Sequence, residues 1–142
     1  MINFFKSKDK SIIVNNNFLS KVASLLIHAA KIDEIYTNDE KLIIQKTLIK
    51  LGAKDSEINK IMDVAELNEE NSNQILDFTK EVKSLSNSYK IQIIEALWEI
   101  IYSNKNADMY ETNLMRRLAG LLYIDNKIMG NIKERIKKEF SK

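Results

Sequence analysis

Residues that make tight turns are nearly missing from this sequence, whose 142 residues include three Gly and no Pro. β-Hairpins use Gly and similar residues in their turns, and parallel α/β folds use Gly where a strand turns into a helix. A chain with so few of these residues has little capacity for either arrangement. The composition therefore predicts an all-α fold.

Apolar residues recur every three or four positions along most of the chain, which is the spacing of one buried helix face. The pattern predicts seven helices, over residues 18–32, 38–51, 56–67, 75–85, 88–102, 109–122 and 126–140. Gly52 follows the second helix and predicts a left-handed C-cap there. We expect the first and fifth helices to cross at the centre and to bury Leu26, Ala29, Leu97 and Ile101. The fifth is the most apolar, and we expect it to be buried on nearly all sides.

The composition is typical of one soluble globular domain, with 44% hydrophobic and 30% charged residues. We assign residues 17–142 to this domain and residues 1–16 to a flexible N-terminal arm. The arm either folds back over the helices or makes a peripheral contact with a partner or an anionic membrane surface. No apolar run approaches the ~18 residues of a membrane span and no signal-peptide pattern is present, so we expect a cytoplasmic location.

Charge and residue usage argue against several classes of function. The 22 Lys and Arg residues against 20 Asp and Glu residues give a net charge of +2, so no nucleic-acid partner is expected. The absence of Cys and the single His exclude a disulfide framework, a thiolate nucleophile and the usual His-rich zinc sites. The sequence also shows no Ser–His–Asp set and no glycine-rich phosphate loop, and we expect that the protein is not an enzyme.

An internal repeat appears when the chain is aligned on itself with an offset of 71 residues. The offset places residues 26–30 on residues 97–101 and continues through the next helix. Equivalent pairs are Asp33 and Asn104, Thr37 and Asp108, and Glu40 and Glu111. Each helix–loop–helix unit alone would expose an apolar face that it cannot bury. The repeat therefore predicts two such units related by a pseudo-two-fold axis.

The repeated segments also resemble a known family. They read LIHAAKID at 26–33 with YTNDE at 36–40, and ALWEIIYS at 96–103 with Tyr110-Glu111 and Arg116-Arg117. These segments resemble the tellurite-resistance TerB-like family, and the likeness spans residues 18–138. The resemblance implies an all-helical bundle with two pseudo-symmetric hairpins and a link to tellurite or stress resistance. It also implies protein partners in a stress-response or J-domain-linked assembly.

In that family the interhelical loops read Ala-Asp-Gly followed by an acidic residue and a Glu, and they are regarded as metal sites. The candidate metal ligands here are Asp33, Thr37, Glu40, Asn104, Asp108 and Glu111. Their oxygens are of the hard type that Ca²⁺ or Mg²⁺ prefers. The chain departs from the family with Glu34 in place of Gly, and with Asn104 and Lys105 in place of Asp and Gly. The second loop has thus lost a carboxylate and gained a cation.

The same loops have an interpretation that needs no metal. Thr37-x-x-Glu40 and Asp108-x-x-Glu111 are both capping boxes, in which side-chain oxygens accept hydrogen bonds from the first N–H groups of a helix. Capping leaves Asp33 and Asn104 without a role, although each can hydrogen-bond to its own loop backbone. The sequence leaves both interpretations open.

Other residues carry a functional and a structural interpretation as well. His28 and Glu99 occupy equivalent repeat positions, so they either face each other as a proton relay or His28 is a hydrogen-bonded core residue. Trp98 is expected in the core. Arg116 and Arg117 either hold a phosphate or form ion pairs on the helix surface.

The sequence as a whole favours a non-enzymatic interaction and scaffold domain that a divalent metal modulates. The alternative is a metal-dependent hydrolase built on the acidic interhelical loops. A hydrolytic site needs several carboxylates that converge on one ion, whereas the candidate ligands are divided between two loops.

Overall fold

The computed structural model describes residues 16–31, 36–71, 79–80, 82–103 and 109–140, with the backbone alone at residues 84 and 109–112. Within these ranges it contains six α-helices and no strand, which confirms the predicted all-α fold. The helices are α1 (Asn16–Ala30), α2 (Asn38–Lys50), α3 (Ile58–Glu70), α4 (Asn87–Ser103), α5 (Met109–Leu121) and α6 (Asn126–Phe140). Two 3₁₀ turns cover Asp55–Glu57 and Val82–Ser84.

The predicted number of seven helices is not confirmed. The helix expected over residues 75–85 lies partly outside the described residues, and inside that range Val82–Ser84 form a 3₁₀ turn. The Leu85 N–H donates to the Val82 carbonyl at 3.0 Å, which is the i to i+3 bond of such a turn. Helix α3 also continues to Glu70, three residues past its expected end, because the polar residues after Leu67 include no Gly or Pro to stop it.

Helix α1 is the most enclosed element of the described chain. Eleven of its fifteen residues are buried. In α4 eight of seventeen are buried, so the expectation that this helix is buried on nearly all sides is wrong. The expected contact between these two helices is present, and its four named residues, Leu26, Ala29, Leu97 and Ile101, are all buried. Trp98 is also in the core, as expected.

Small polar residues on α1 allow it to approach α3, with which it forms its most extensive interface. Ser20 and Ser24 are both buried there. The Ser24 hydroxyl lies 2.9 Å from the carbonyl oxygens of Ser20 and Ala65, so its proton can be donated within α1 or across to α3. At the start of α1, the Asn16 amide donates to Glu57 at 2.8 Å. Asn16 was predicted to belong to the arm over residues 1–16, but it is the first residue of α1. The rest of that arm lies outside the described residues.

Helices α2 and α5 end in the same way, at positions related by the 71-residue offset. The Ala53 N–H donates to the Leu48 carbonyl at 2.9 Å, and the Ile124 N–H donates to the Ala119 carbonyl at 2.9 Å. The residue just before each of these N–H donors has a positive φ, 118° at Gly52 and 58° at Tyr123. The predicted left-handed cap at Gly52 is confirmed. The described bounds of α2 and α5 also differ by 71 residues, while the pseudo-two-fold axis stays a prediction.

Substitution by alanine should change the free energy of unfolding in opposite directions at Gly52, which follows α2, and at Gly130, which lies within α6. Gly52→Ala forces a Cβ into a positive-φ conformation and should lower the free energy of unfolding by about 1–2 kcal/mol. Gly130→Ala, in the middle of α6 with no atom within 4 Å of the added Cβ, should raise it by about 0.5–1 kcal/mol. Urea unfolding of both variants measures the difference, and a stabilised Gly52→Ala protein would contradict the cap assignment.

Candidate functional site

The first interhelical loop is the sequence-predicted site that the structure describes in part. Thr37 is the N-cap of α2, in an extended conformation that ends the loop. Its hydroxyl oxygen accepts a hydrogen bond from the Glu40 N–H at 3.1 Å, and the Glu40 carboxylate accepts one from the Thr37 N–H at 2.8 Å. This reciprocal pair is a capping box, so the capping interpretation is confirmed for this loop.

Two of the six predicted metal ligands, Thr37 and Glu40, form the capping box. Glu40 is only 2% exposed, and the hydrogen bond from the Thr37 N–H offsets part of the cost of burying its carboxylate. Asp33, Asn104 and Asp108 lie outside the described residues, and Glu111 is on α5 with its side chain outside the description. The metal interpretation of these four residues stays a prediction.

Two acidic residues near the end of α3, Glu66 and Glu69, form ion pairs beside this loop. The Glu69 carboxylate lies 3.0 Å from the Lys31 ammonium and 3.4 Å from His28 Nδ1, and its side chain is mostly buried. Glu66 lies 3.6 Å from the Lys41 ammonium. Carboxylates at a helix C-terminus are repelled by the helix dipole, so the Lys31 and Lys41 ammonium groups stabilise them. The two pairs tie α3 to the end of α1 and to the start of α2.

His28 has a different carboxylate beside it from the one that the repeat suggested. Its Nδ1 lies 3.4 Å from Glu69 of α3, so the first alternative, a relay with Glu99, is not the one that the structure supports. Glu99 is half-buried, and this burial raises the pKa of its carboxyl while the nearby Lys50 lowers it. The structural alternative is right in that His28 is hydrogen-bonded and wrong in that it is not a core residue, because its side chain is 26% exposed at the edge of the α1–α3 contact.

A polar pocket of about 260 Å³ lies against the capping box, between the ends of α1 and α3 and the start of α2. Tyr36 lines it, and the Tyr36 hydroxyl is buried without a hydrogen-bond partner in the described part of the chain. Burial raises the pKa of this hydroxyl, and the Glu66 and Glu40 carboxylates raise it further. The phenol therefore stays protonated, and its hydroxyl keeps a proton that no described group accepts.

The charged residues that line this pocket have both signs. The cations are Lys31 and Lys41, and the anions are Glu66 and Glu70. Carboxylate and hydroxyl oxygens suit a hard cation, and the two ammonium groups suit an anion. Among the residues that the structure describes, no three side chains of His, Cys, Asp or Glu are grouped so as to hold a metal ion. The described groups can offer hydrogen bonds and ion pairs to a polar ligand.

Sequence reasoning missed Tyr36 and the three glutamates of α3. The signal was present, since Glu66, Glu69 and Glu70 are spaced three and four residues apart and would share a helix face. It was lost because the helix was expected to end at Leu67, which placed two of the glutamates in a turn.

None of the helices in the described part of the chain has the length and apolar character of a membrane span.

Removal of the cap should destabilise the protein whether or not a metal is present. Thr37→Ala removes the oxygen that accepts from Glu40 N–H and should lower the free energy of unfolding by about 0.5–2 kcal/mol. Glu40→Gln retains an acceptor for the Thr37 N–H and should cost less than Glu40→Ala. Denaturant curves in Ca²⁺ and in EDTA test this. A loss seen only with Ca²⁺ would show that Thr37 acts as a ligand instead.

Metal binding, if the first loop retains it, should depend on Asp33. Ca²⁺ or Mg²⁺ titration should shift amide resonances near Asp33 and leave those near Asn104 unchanged, because Lys105 repels a cation at the second loop. Asp33→Ala should abolish the shifts. NMR spectra without any change at millimolar ion would leave capping as the sole role of Thr37 and Glu40.

Comparison with known proteins agrees with the helical architecture. A family model described as tellurite resistance protein TerB matches residues 19–134, a segment that runs from the first turn of α1 into α6. No curated protein and no solved structure shows a significant match. Because the family model covers most of the sequence, the chain belongs to the TerB family.

Proposed function

We propose that this chain is a non-enzymatic interaction and scaffold domain that acts in tellurite or stress resistance. The observation that carries the proposal is a group of exposed aliphatic side chains on two neighbouring helices. They are Leu42 and Ile49 on α2, and Val64 and Leu67 on α3, and we call them the α2–α3 surface.

The spacing of these residues supports a shared surface. Leu42 and Ile49 are seven residues apart and lie on one face of α2, two turns from each other, while Val64 and Leu67 are one turn apart on α3. Helices α2 and α3 contact each other, and the Lys41–Glu66 ion pair joins them. Leu42 and Leu67 each follow a member of this pair in sequence, so their backbones lie close to the contact between the two helices, and we infer that the four side chains form one surface.

Exposure of these side chains has an energetic consequence. Leu42 is 52% exposed and Leu67 is 59% exposed. Single exposed apolar residues are common on soluble proteins, whereas a contiguous group is typical of protein interaction sites. A partner that covers the group gains about 25 cal/mol for each Å² of apolar surface removed from water.

The ion pair also supports the proposed influence of a divalent cation. Glu66 is both a wall of the polar pocket and the partner of Lys41. A divalent cation that bound at the Glu66 wall of this pocket would weaken the Lys41–Glu66 ion pair, which joins α2 and α3. The proposed partners are proteins of a stress-response or J-domain-linked assembly in the cytoplasm, with residues 1–16 as a peripheral membrane contact.

The test is affinity capture from tellurite-treated cells with wild-type protein and charge-introducing variants, in Ca²⁺ and in EDTA. Leu42→Glu and Leu67→Glu should each remove specific partners. Phe140→Glu is the matched control, because Phe140 is 44% exposed on α6, outside the α2–α3 surface. Equal melting temperatures show that all variants fold.

Identical partner sets for the wild-type and both leucine variants would contradict the proposal. Metal-dependent hydrolysis of a phosphoester by the purified protein would favour the alternative, a hydrolase built on the acidic loops. A partner set that changes between Ca²⁺ and EDTA in wild-type protein and no longer changes in Asp33→Ala protein supports metal modulation.

A further inference from the structure

A second pocket, of about 210 Å³, lies between α4, α5 and α6, on helices other than those of the α2–α3 surface. Its apolar lining comes from Trp98, Met115 and Met129. Gly130 lies beside them, and a Cβ at this position would meet no atom within 4 Å. The pocket is therefore open to a ligand along the glycine, and the function proposed above does not use it.

Trp98 carries an unsatisfied polar atom in this region. Its side chain is 4% exposed, yet the indole Nε1 is buried with no hydrogen-bond partner in the part of the chain that the structure describes. An unpaired buried N–H group is costly, and buried Trp usually finds an acceptor for it. Because this N–H group is closed to solvent, the part of Trp98 that lines the pocket is apolar.

Two cations line the same pocket. Arg116 of α5 and Lys133 of α6 are among its walls, and the Lys133 ammonium lies 5.5 Å from the centroid of the Trp98 ring. No carboxylate of the described residues lies within 4 Å of either cation. Asn126, the first residue of α6, also lines the pocket, and the positive end of the helix dipole adds to the potential.

We propose that this pocket binds a small organic carboxylate with an apolar body. The carboxylate lies between Arg116 and Lys133, since a guanidinium binds a carboxylate through two parallel hydrogen bonds. The apolar body lies against Trp98 and the two methionines, whose flexible side chains adapt to different shapes.

The size of the pocket limits the ligand. A cavity of about 150 Å³ accommodates benzene, so about 210 Å³ leaves room for a ring or short chain together with its carboxylate. Inorganic phosphate would contact the two cations and gain nothing from the apolar lining. An uncharged alcohol would gain only from the lining, because it carries no negative charge for the two cations to bind.

The experiment uses hexanoate as the probe, and it reads the fluorescence of Trp98, the single tryptophan of the chain. Hexanoate should change the emission saturably with a Kd of about 1 mM, as expected for a ligand of this size. Acetate, 1-hexanol and inorganic phosphate separate the contributions of charge and apolar surface. Each should bind at least about tenfold more weakly than hexanoate.

Neighbouring arginines provide a matched pair of variants. Arg116→Gln should weaken hexanoate binding about tenfold, whereas Arg117→Gln should leave the Kd unchanged, because Arg117 does not line the pocket. Gly130→Leu should fill the pocket and abolish the emission change. Melting curves check that each variant folds, and the arginine pair tests the proposal independently of the glycine variant.

The proposal is overturned by the absence of a saturable change with hexanoate in wild-type protein. Equal affinity for hexanoate and 1-hexanol would also overturn it, since the cations would then have no part in binding. Equal weakening by Arg116→Gln and Arg117→Gln would show a general effect of surface charge. Selective loss with Arg116→Gln and Gly130→Leu supports the carboxylate site.

Discussion

Burial of α1 against α2, α3 and α4 is the constraint on which the rest of the structure depends. Its apolar and small residues lie on nearly every side of the helix, so each neighbouring helix must cover one face of it. Each fully buried Leu, Ile or Val contributes about 1.5–3 kcal/mol relative to an exposed one. The last turn of α1 and the residue after it then bring His28 and Lys31 to the end of α3, where Glu69 contacts both. The position of the polar pocket thus follows from core packing.

Much of this architecture could be predicted from local sequence pattern. The scarcity of Gly and Pro predicted the all-α fold, and three- and four-residue spacing located the buried faces of α1 and α4. The Thr37–Glu40 spacing predicted the start of α2, and Gly52 predicted its end. These features depend on residues close together in the chain, and short-range hydrogen bonds decide them.

The site was harder to predict, because its groups come from distant parts of the chain. Glu69 meets Lys31 across 38 positions, and nothing in the local sequence of either residue selects the other. The repeat suggested Glu99 for His28, since equivalent positions were taken to imply contact. Helix α1 instead has its most extensive interface with α3, and tertiary packing determined the partner.

Tyr123 shows how the second unit tolerates a residue that the first unit avoids. At the position equivalent to Gly52 it has a φ of 58°, a conformation that costs a side-chain-bearing residue about 1–2 kcal/mol. The Lys83 and Lys90 ammonium groups lie 5.9 and 5.8 Å from its ring centroid, and each contact contributes about 0.5–1 kcal/mol. A tyrosine also restricts the unfolded chain more than a glycine does, which lowers the entropy lost on folding by about 0.4–1 kcal/mol in free energy. The strain at Tyr123 is therefore roughly offset by its contacts with the two lysines and by the lower conformational entropy of the unfolded chain. The second contribution cannot be read from contacts in the folded structure.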